Sequence, residues 1–198
     1  GYAGSLVEYE GLDDLLKAVA LLLPVLPRLH VLMIGDGQMR PALERLAQRL
    51  HIDDRVTFTG RVSQQEVASH IAMMDAYVVP RRPDLVCQLV SPLKPLEGMA
   101  MAKPVIVSDV GGMHGMVEDG VTGFVHRAAD IESLVQKIRD CVANTSLSAA
   151  CAANGRVFVE TGSMIRWTHP TCWTGFSRSN RARPALRYDP PVKFTLFV

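Results

Sequence analysis

The sequence predicts a doubly wound, Rossmann-like α/β domain built on a parallel sheet. Three observations lead there. Short apolar runs alternate with longer segments of helical periodicity, the pattern of βαβ units. The apolar runs are continuous rather than alternating, as in strands covered on both faces. At 198 residues the chain is long enough for one such domain with a sizeable core.

The first strand is read at residues 2–7. Leu12, Leu15, Leu16, Val19, Leu22 and Leu23 then recur at helical spacing, and Pro24 closes that helix. Residues 29–34 form a buried strand ended by Gly35-Asp36-Gly37. Residues 40–50 are amphipathic, with Leu43, Leu46, Ala47 and Leu50 on one face. A third strand falls at 56–59. Ser63-Gln64-Gln65-Glu66 has capping-box spacing and opens a helix to about Met74. Residues 76–79 are the fourth strand, and 81–90 read as an irregular loop. Ser91 suits an N-cap and Pro92 the first helical position, so the next helix is expected to begin there. Val105–Ser108 is a fifth strand and 123–125 a short last one. Asp130 caps a final helix to about Val142, and the domain is expected over residues 1–160.

Composition narrows the function. Hydrophobic residues make up 48% and charged residues 21%, which excludes disordered, collagen-like and coiled-coil chains. A net charge of +1 argues against a nucleic-acid partner held by bulk charge. No run reaches the roughly 18 apolar residues of a membrane span. No signal segment opens the chain. It begins at Gly1 rather than Met and leads straight into a strand, so a piece of a longer protein is expected. Cys87, Cys141, Cys151 and Cys172 form no CxxC pair and read as incidental thiols of a reducing cytosol. The histidines show no metal spacing, and neither a metal nor a cofactor is expected. From about Gly162 the helical periodicity stops. Trp167, Trp173, four prolines and five arginines against the single acid Asp189 follow, so residues 161–198 are expected to be an irregular or foreign tail.

Ligands of doubly wound sheets lie outside the carboxyl ends of the strands, here the loops 4–11, 35–38, 60–63, 80–92 and 108–112. Gly4-Ser5 reads either as a diphosphate contact or as a tight βα turn, and it is not the GxGxxG fingerprint of nicotinamide and flavin sites. Ser91–Glu97 is the most informative stretch. A helix N-terminus there favours anions, and Lys94 and Glu97, three apart, share one face. They read as cation to diphosphate and carboxylate to ribose, or as a surface ion pair. Gly111-Gly112 reads as a ligand loop or a turn. Arg81 and Arg82 read as phosphate or acceptor contacts or as a solvated pair.

The segments GDGQMRPALERLA, VTFTGRVSQQEV, DAYVVPRR and SPLKPLEGMAMAKPVIVSDVGGMHGMVEDGVTGFV occur in this order and spacing. Together they resemble the C-terminal, nucleotide-sugar-binding half of a GT-B retaining glycosyltransferase of family 4, over about residues 1–160. GYAGSLVEYEGLDDLL and SPLKPLEGMAMAKP are similar to bacterial exopolysaccharide-type transferases. The resemblance implies that Glu97 binds the donor ribose and that Lys94, Gly4 and Ser5 meet the diphosphate. It implies that Gly60, Arg61 and Val62 border the base, and that Pro92 and Leu93 supply backbone N–H groups near the phosphates. Gln88 falls near the first member of the family's glutamate pair and could meet a sugar hydroxyl. The implied partners are a nucleotide sugar, a glycan or lipid-linked acceptor and an N-terminal Rossmann-like domain outside these residues. The implied enzyme is a cytoplasmic hexosyltransferase, peripheral to the inner membrane through that other half.

Three departures stand out. Ser5 and Glu10 occupy positions where a basic residue is common, Gln88 is not acidic, and Gly115 stands where an acid is common. They leave a non-catalytic nucleotide-binding module, or a GT-B nucleotide-sugar epimerase, as the alternative.

Overall fold

The structure, a computed structural model, describes residues 1–161. The tail expected beyond that point, with Cys172, lies outside the described residues.

Six short strands carry the fold: β1 (Tyr2–Ala3), β2 (Val31–Ile34), β3 (Val56–Gly60), β4 (Tyr77–Val79), β5 (Val105–Ser108) and β6 (Phe124–His126). They form two parallel three-stranded ladders, β1-β2-β3 and β4-β5-β6. The Val78 N–H donates to the Gly1 carbonyl at 2.8 Å and joins the ladders edge to edge. Read across, the order is 3-2-1-4-5-6, so the winding reverses between β1 and β4, the arrangement of a doubly wound sheet.

Helices α1 (Leu12–Leu22), α2 (Arg40–Arg49) and α6 (Ile131–Ala143) bury their apolar faces in one core with Met33, Val78 and Ile106. Helices α3 (Gln64–Ala72), α5 (Lys94–Ala100) and α7 (Thr145–Glu160) cover the other face, where Ile71, Leu96, Met99 and Phe158 meet Val79, Val105 and Val107. Tyr77, Val79, Val105, Ile106 and Val107 have no exposed surface, which is why the strands read as unbroken apolar runs. Each such side chain contributes about 1.5–3 kcal/mol on burial.

Two predicted caps form. The Asp130 carboxylate accepts from the Ser133 N–H at the start of α6, and the Glu66 carboxylate accepts from the Ser63 N–H and hydroxyl at the start of α3.

Several elements differ from the sequence reading. The first strand ends at Ala3, because the chain turns at Gly4 and a 3-10 turn follows at Glu8–Glu10. The second strand begins at Val31, and the last spans Phe124–His126. The segment read as irregular holds a short helix, α4 (Leu85–Leu89). α5 begins at Lys94, not at Ser91-Pro92, and the proline of its first turn is Pro95. The chain continues past Val142 into the sixteen-residue α7. Cys87, Cys141 and Cys151 are buried and free.

Candidate functional site

The winding reverses between β1 and β4, and doubly wound sheets take their ligands outside the carboxyl ends of the strands at such a point. Two buried tyrosines lie there. The Tyr2 hydroxyl donates to the Ser5 carbonyl at 2.9 Å, and the Tyr77 hydroxyl donates to the Ala3 carbonyl at 3.1 Å. The Gly4–Ser5 turn is thereby held from both sides. Burial pushes both phenols far above their usual range, so the hydroxyls stay protonated donors.

Lys94, the first residue of α5, crosses this turn. Its Cε stands where a side chain at Gly4 would begin, and at φ 145° the Gly4 backbone holds a conformation that favours glycine. The ammonium lies 5.8 Å from the Tyr2 ring centroid and donates to Glu10 Oε1 at 2.8 Å.

Glu10 is 1% exposed and takes a second cation on the same oxygen, Arg81 Nη2 at 3.1 Å. Arg81 is 5% exposed, donates to the Val90 carbonyl at 3.2 Å and lies 5.7 Å over the Tyr9 ring. One carboxylate thus faces two cations, leaving the cluster one positive charge. Glu10 Oε2 and Arg81 Nε have no hydrogen-bond partner. Gly11 sets this geometry. At φ 67° it takes a left-handed turn, and the Pro80 carbonyl occupies the space of its missing side chain, which presses the turn carrying Glu10 against the end of β4.

Glu97 lies one turn along α5, with its carboxylate 3.5 Å from the Tyr77 hydroxyl. Burial pushes its carboxyl above the ordinary range, against the pull of the Lys94 charge and the Tyr77 hydrogen bond. The i,i+3 ion pair open to Lys94 and Glu97 does not form, because Lys94 turns to Glu10.

The structure therefore collects Gly4, Ser5, Lys94 and Glu97 in one corner. Gly60 ends β3 and Arg61 and Val62 follow it, two strands from β1 and about 10 Å across the sheet. There the Gly60 carbonyl accepts from the Gly35 N–H, and Arg61 is exposed. Gln88 turns its Oε1 to the Gly111 N–H at 2.7 Å, clamping α4 onto the paired glycines. Pro92 corrects one expectation: proline has no N–H, so of that pair only Leu93 can donate. Arg82 is no solvated partner of Arg81; it pairs with Asp13 at 2.7 Å.

Glu10, Tyr2 and Tyr77 escaped the sequence reading as site residues, and Arg81 was read without its partner. Glu10 was legible only as a departure, an acid where the resemblance implies a base, and not as the partner of Lys94 and Arg81. The tyrosines looked like ordinary strand residues. A separate cavity of about 310 Å³ beyond β5 is lined by Ser108, Asp109, Met113 and His114 among others. Among the described residues no group of three metal-ligating side chains forms, and no helix is long and apolar enough to cross a membrane.

The profile of a family described as "Glycosyl transferases group 1" matches residues 1–144. Among curated proteins, the chain is 30% identical over 142 residues to an alpha-D-kanosaminyltransferase of Streptomyces kanamyceticus, covering 70% of this chain and 36% of that protein. It is 30% identical over 153 residues to a GDP-mannose-dependent alpha-(1-6)-phosphatidylinositol monomannoside mannosyltransferase of Mycolicibacterium smegmatis, covering 76% and 40%. It is 29% identical over 152 residues to LpsE, a lipopolysaccharide core biosynthesis glycosyltransferase of Rhizobium meliloti, covering 77% and 42%. The chain thus spans about two fifths of the length of these relatives. Among solved structures, Anabaena HepE in complex with UDP and glucose superposes with a TM-score of 0.71 at 23% identity, over 81% of this chain and 43% of that one. The C-terminal domain of the Francisella tularensis protein LpcC, a group 1 glycosyl transferase, superposes with a TM-score of 0.71 at 18% identity, over 82% and 84%. At these identities the two superpositions speak to the fold.

Proposed function

The chain belongs to the group 1 glycosyl transferases, and we propose that it forms the donor-binding half of a GT-B enzyme that moves a hexose from a nucleotide sugar to a glycan or lipid-linked acceptor with retention. The observation that carries this reading is Lys94 laid across the Gly4–Ser5 turn, with Glu97 one helical turn beyond. A cation against an open backbone turn suits a diphosphate. A half-buried carboxylate beside it suits the vicinal hydroxyls of a ribose. Gly60, Arg61 and Val62, at the carboxyl end of β3, are the residues this reading assigns to the base.

In the reaction Lys94 acts on charge. As the bond between the sugar and the diphosphate of the donor breaks, negative charge grows on the departing diphosphate, and an ammonium brought against it lowers the barrier. The Gly4–Ser5 backbone and the Leu93 N–H orient the phosphates, and the Gln88 amide meets a sugar hydroxyl. Two relatives support the donor class: the mycobacterial enzyme is named for GDP-mannose, and HepE was crystallised with UDP and glucose. The phosphatidylinositol monomannoside and the lipopolysaccharide core in the names of the mannosyltransferase and of LpsE support a lipid-linked acceptor. That the acceptor is worked on at the cytoplasmic face of a membrane, in the building of an exopolysaccharide, is part of the same proposal.

Assay of the full-length parent with a panel of nucleotide sugars tests the reading; neither transfer nor donor hydrolysis across the panel would sink it. Replacing Glu97 by Ala is expected to weaken nucleotide binding about ten- to a hundredfold, the worth of hydrogen bonds to a charged group. The alternative of a non-catalytic module draws on Gln88, which is not acidic and spends its amide oxygen on Gly111. A parent that binds nucleotide through Glu97 yet never turns a donor over favours the module.

A further inference from the structure

We infer that Glu10 is a resident counter-anion which the donor diphosphate must displace from Lys94. The inference rests on the donor reading above and adds to it a residue that tunes how tightly the diphosphate is held.

Lys94 does not wait in open solvent. Its stem fills the notch above Gly4, the backbone a phosphate would approach, and its ammonium is tied to Glu10 at 2.8 Å. A phosphate reaching the turn therefore meets a site already closed by an ion pair. The two cations on Glu10 are unequal. The Arg81 side chain is 6% exposed, bonds the Val90 carbonyl and lies against the Tyr9 ring, whereas the Lys94 side chain is 19% exposed. Lys94 is the partner free to move.

That asymmetry makes the exchange feasible. A buried carboxylate stripped of every cation is strongly disfavoured. When Lys94 leaves, Glu10 keeps Arg81, and its unpartnered Oε2 can draw closer to the unpartnered Arg81 Nε. Lys94 meanwhile exchanges a carboxylate for a phosphate. Glu10 and the phosphate are then two anions in one corner, and their repulsion at a partly screened site is worth about tenfold in affinity. Glu10 thus holds down affinity for the donor and for the nucleoside diphosphate left after transfer, and reclaims Lys94 when that product departs.

Titration calorimetry with UDP and GDP on the unaltered chain, E10Q and K94M tests this, with uridine and guanosine as phosphate-free controls. E10Q keeps an oxygen that accepts from both cations and removes the charge. It is expected to bind UDP or GDP about tenfold more tightly, with nucleoside affinity unchanged, and K94M to bind about tenfold more weakly. A folded E10Q that binds the diphosphates no more tightly overturns the role of Glu10, while weakening by K94M leaves the donor reading standing. A K94M variant with unaltered affinity, or no diphosphate binding by any of the three proteins, overturns the donor reading itself. Should circular dichroism show E10Q unfolded, the crystal structure of the unaltered chain with UDP or GDP decides. Lys94 Nζ on a phosphate oxygen and away from Glu10 is expected, and Lys94 still paired with Glu10 overturns the inference.

Discussion

His126 ends β6 as a buried imidazole, 3% exposed. Its Nδ1 pairs with the Arg127 carbonyl at 2.8 Å and its Nε2 has no partner. Burial holds its pKa below the ordinary 6.5, despite the opposing pull of Asp109, Asp130 and Asp14. The fold therefore prefers the neutral ring. Its contribution to stability is present above about pH 6.5 and is lost as pH falls through the lower folded value. The urea midpoint is expected to drop between pH 7 and pH 5, and to drop less in His126→Phe, which keeps the ring volume without the titration. Among the site residues, Lys94, Glu97 and the Gly4–Ser5 turn were legible because their spacing on a helix and a turn is local. The Glu10–Arg81 pair was not. It joins residues 71 apart in sequence, and only the packing of Gly11 on Pro80 brings them together.

At the scale of elements, α7 shows what periodicity misses. Its buried face is Ser148, Cys151, Ala152 and Gly155, small residues that give little apolar signal. That smallness lets α7 lie close to α5: a Cβ added at Gly155 would stand 2.9 Å from Met99 Cγ and 3.1 Å from the Thr122 carbonyl oxygen. Gly155→Leu is expected to cost about 1–3 kcal/mol through overpacking, read as a lower urea midpoint. β4, β5 and α6 were legible because long apolar side chains fill them. α4 escaped because it is five residues long, and the start of α5 shifted because Ser91-Pro92 imitates an N-terminus that Leu93 and Pro95 provide.

For the whole molecule, alternating strands and helices predict the doubly wound class, since burial on both faces leaves unbroken apolar runs in the central strands β4 and β5, while β3 at the edge keeps an exposed Thr57. Residues 1–198 alone are expected to bind UDP or GDP with dissociation constants in the high micromolar to millimolar range, about −4 to −6 kcal/mol, and to transfer no sugar. The reason is positional: an acceptor held in line by an opposing domain supplies several kcal/mol of the barrier. Sub-micromolar binding by calorimetry, or transfer by this chain, would contradict that. The three buried thiols among the described residues also amount to a set of clocks. Burial raises the pKa of each, so alkylation waits for local opening. Cys87 rides on the five-residue α4, while Cys141 and Cys151 are locked in the longer α6 and α7. Under iodoacetamide, read peptide by peptide, Cys87 is expected to label before Cys141 and Cys151. Its rate would time how often α4 lifts from Tyr9 and Gly111 while the sheet beneath stays whole.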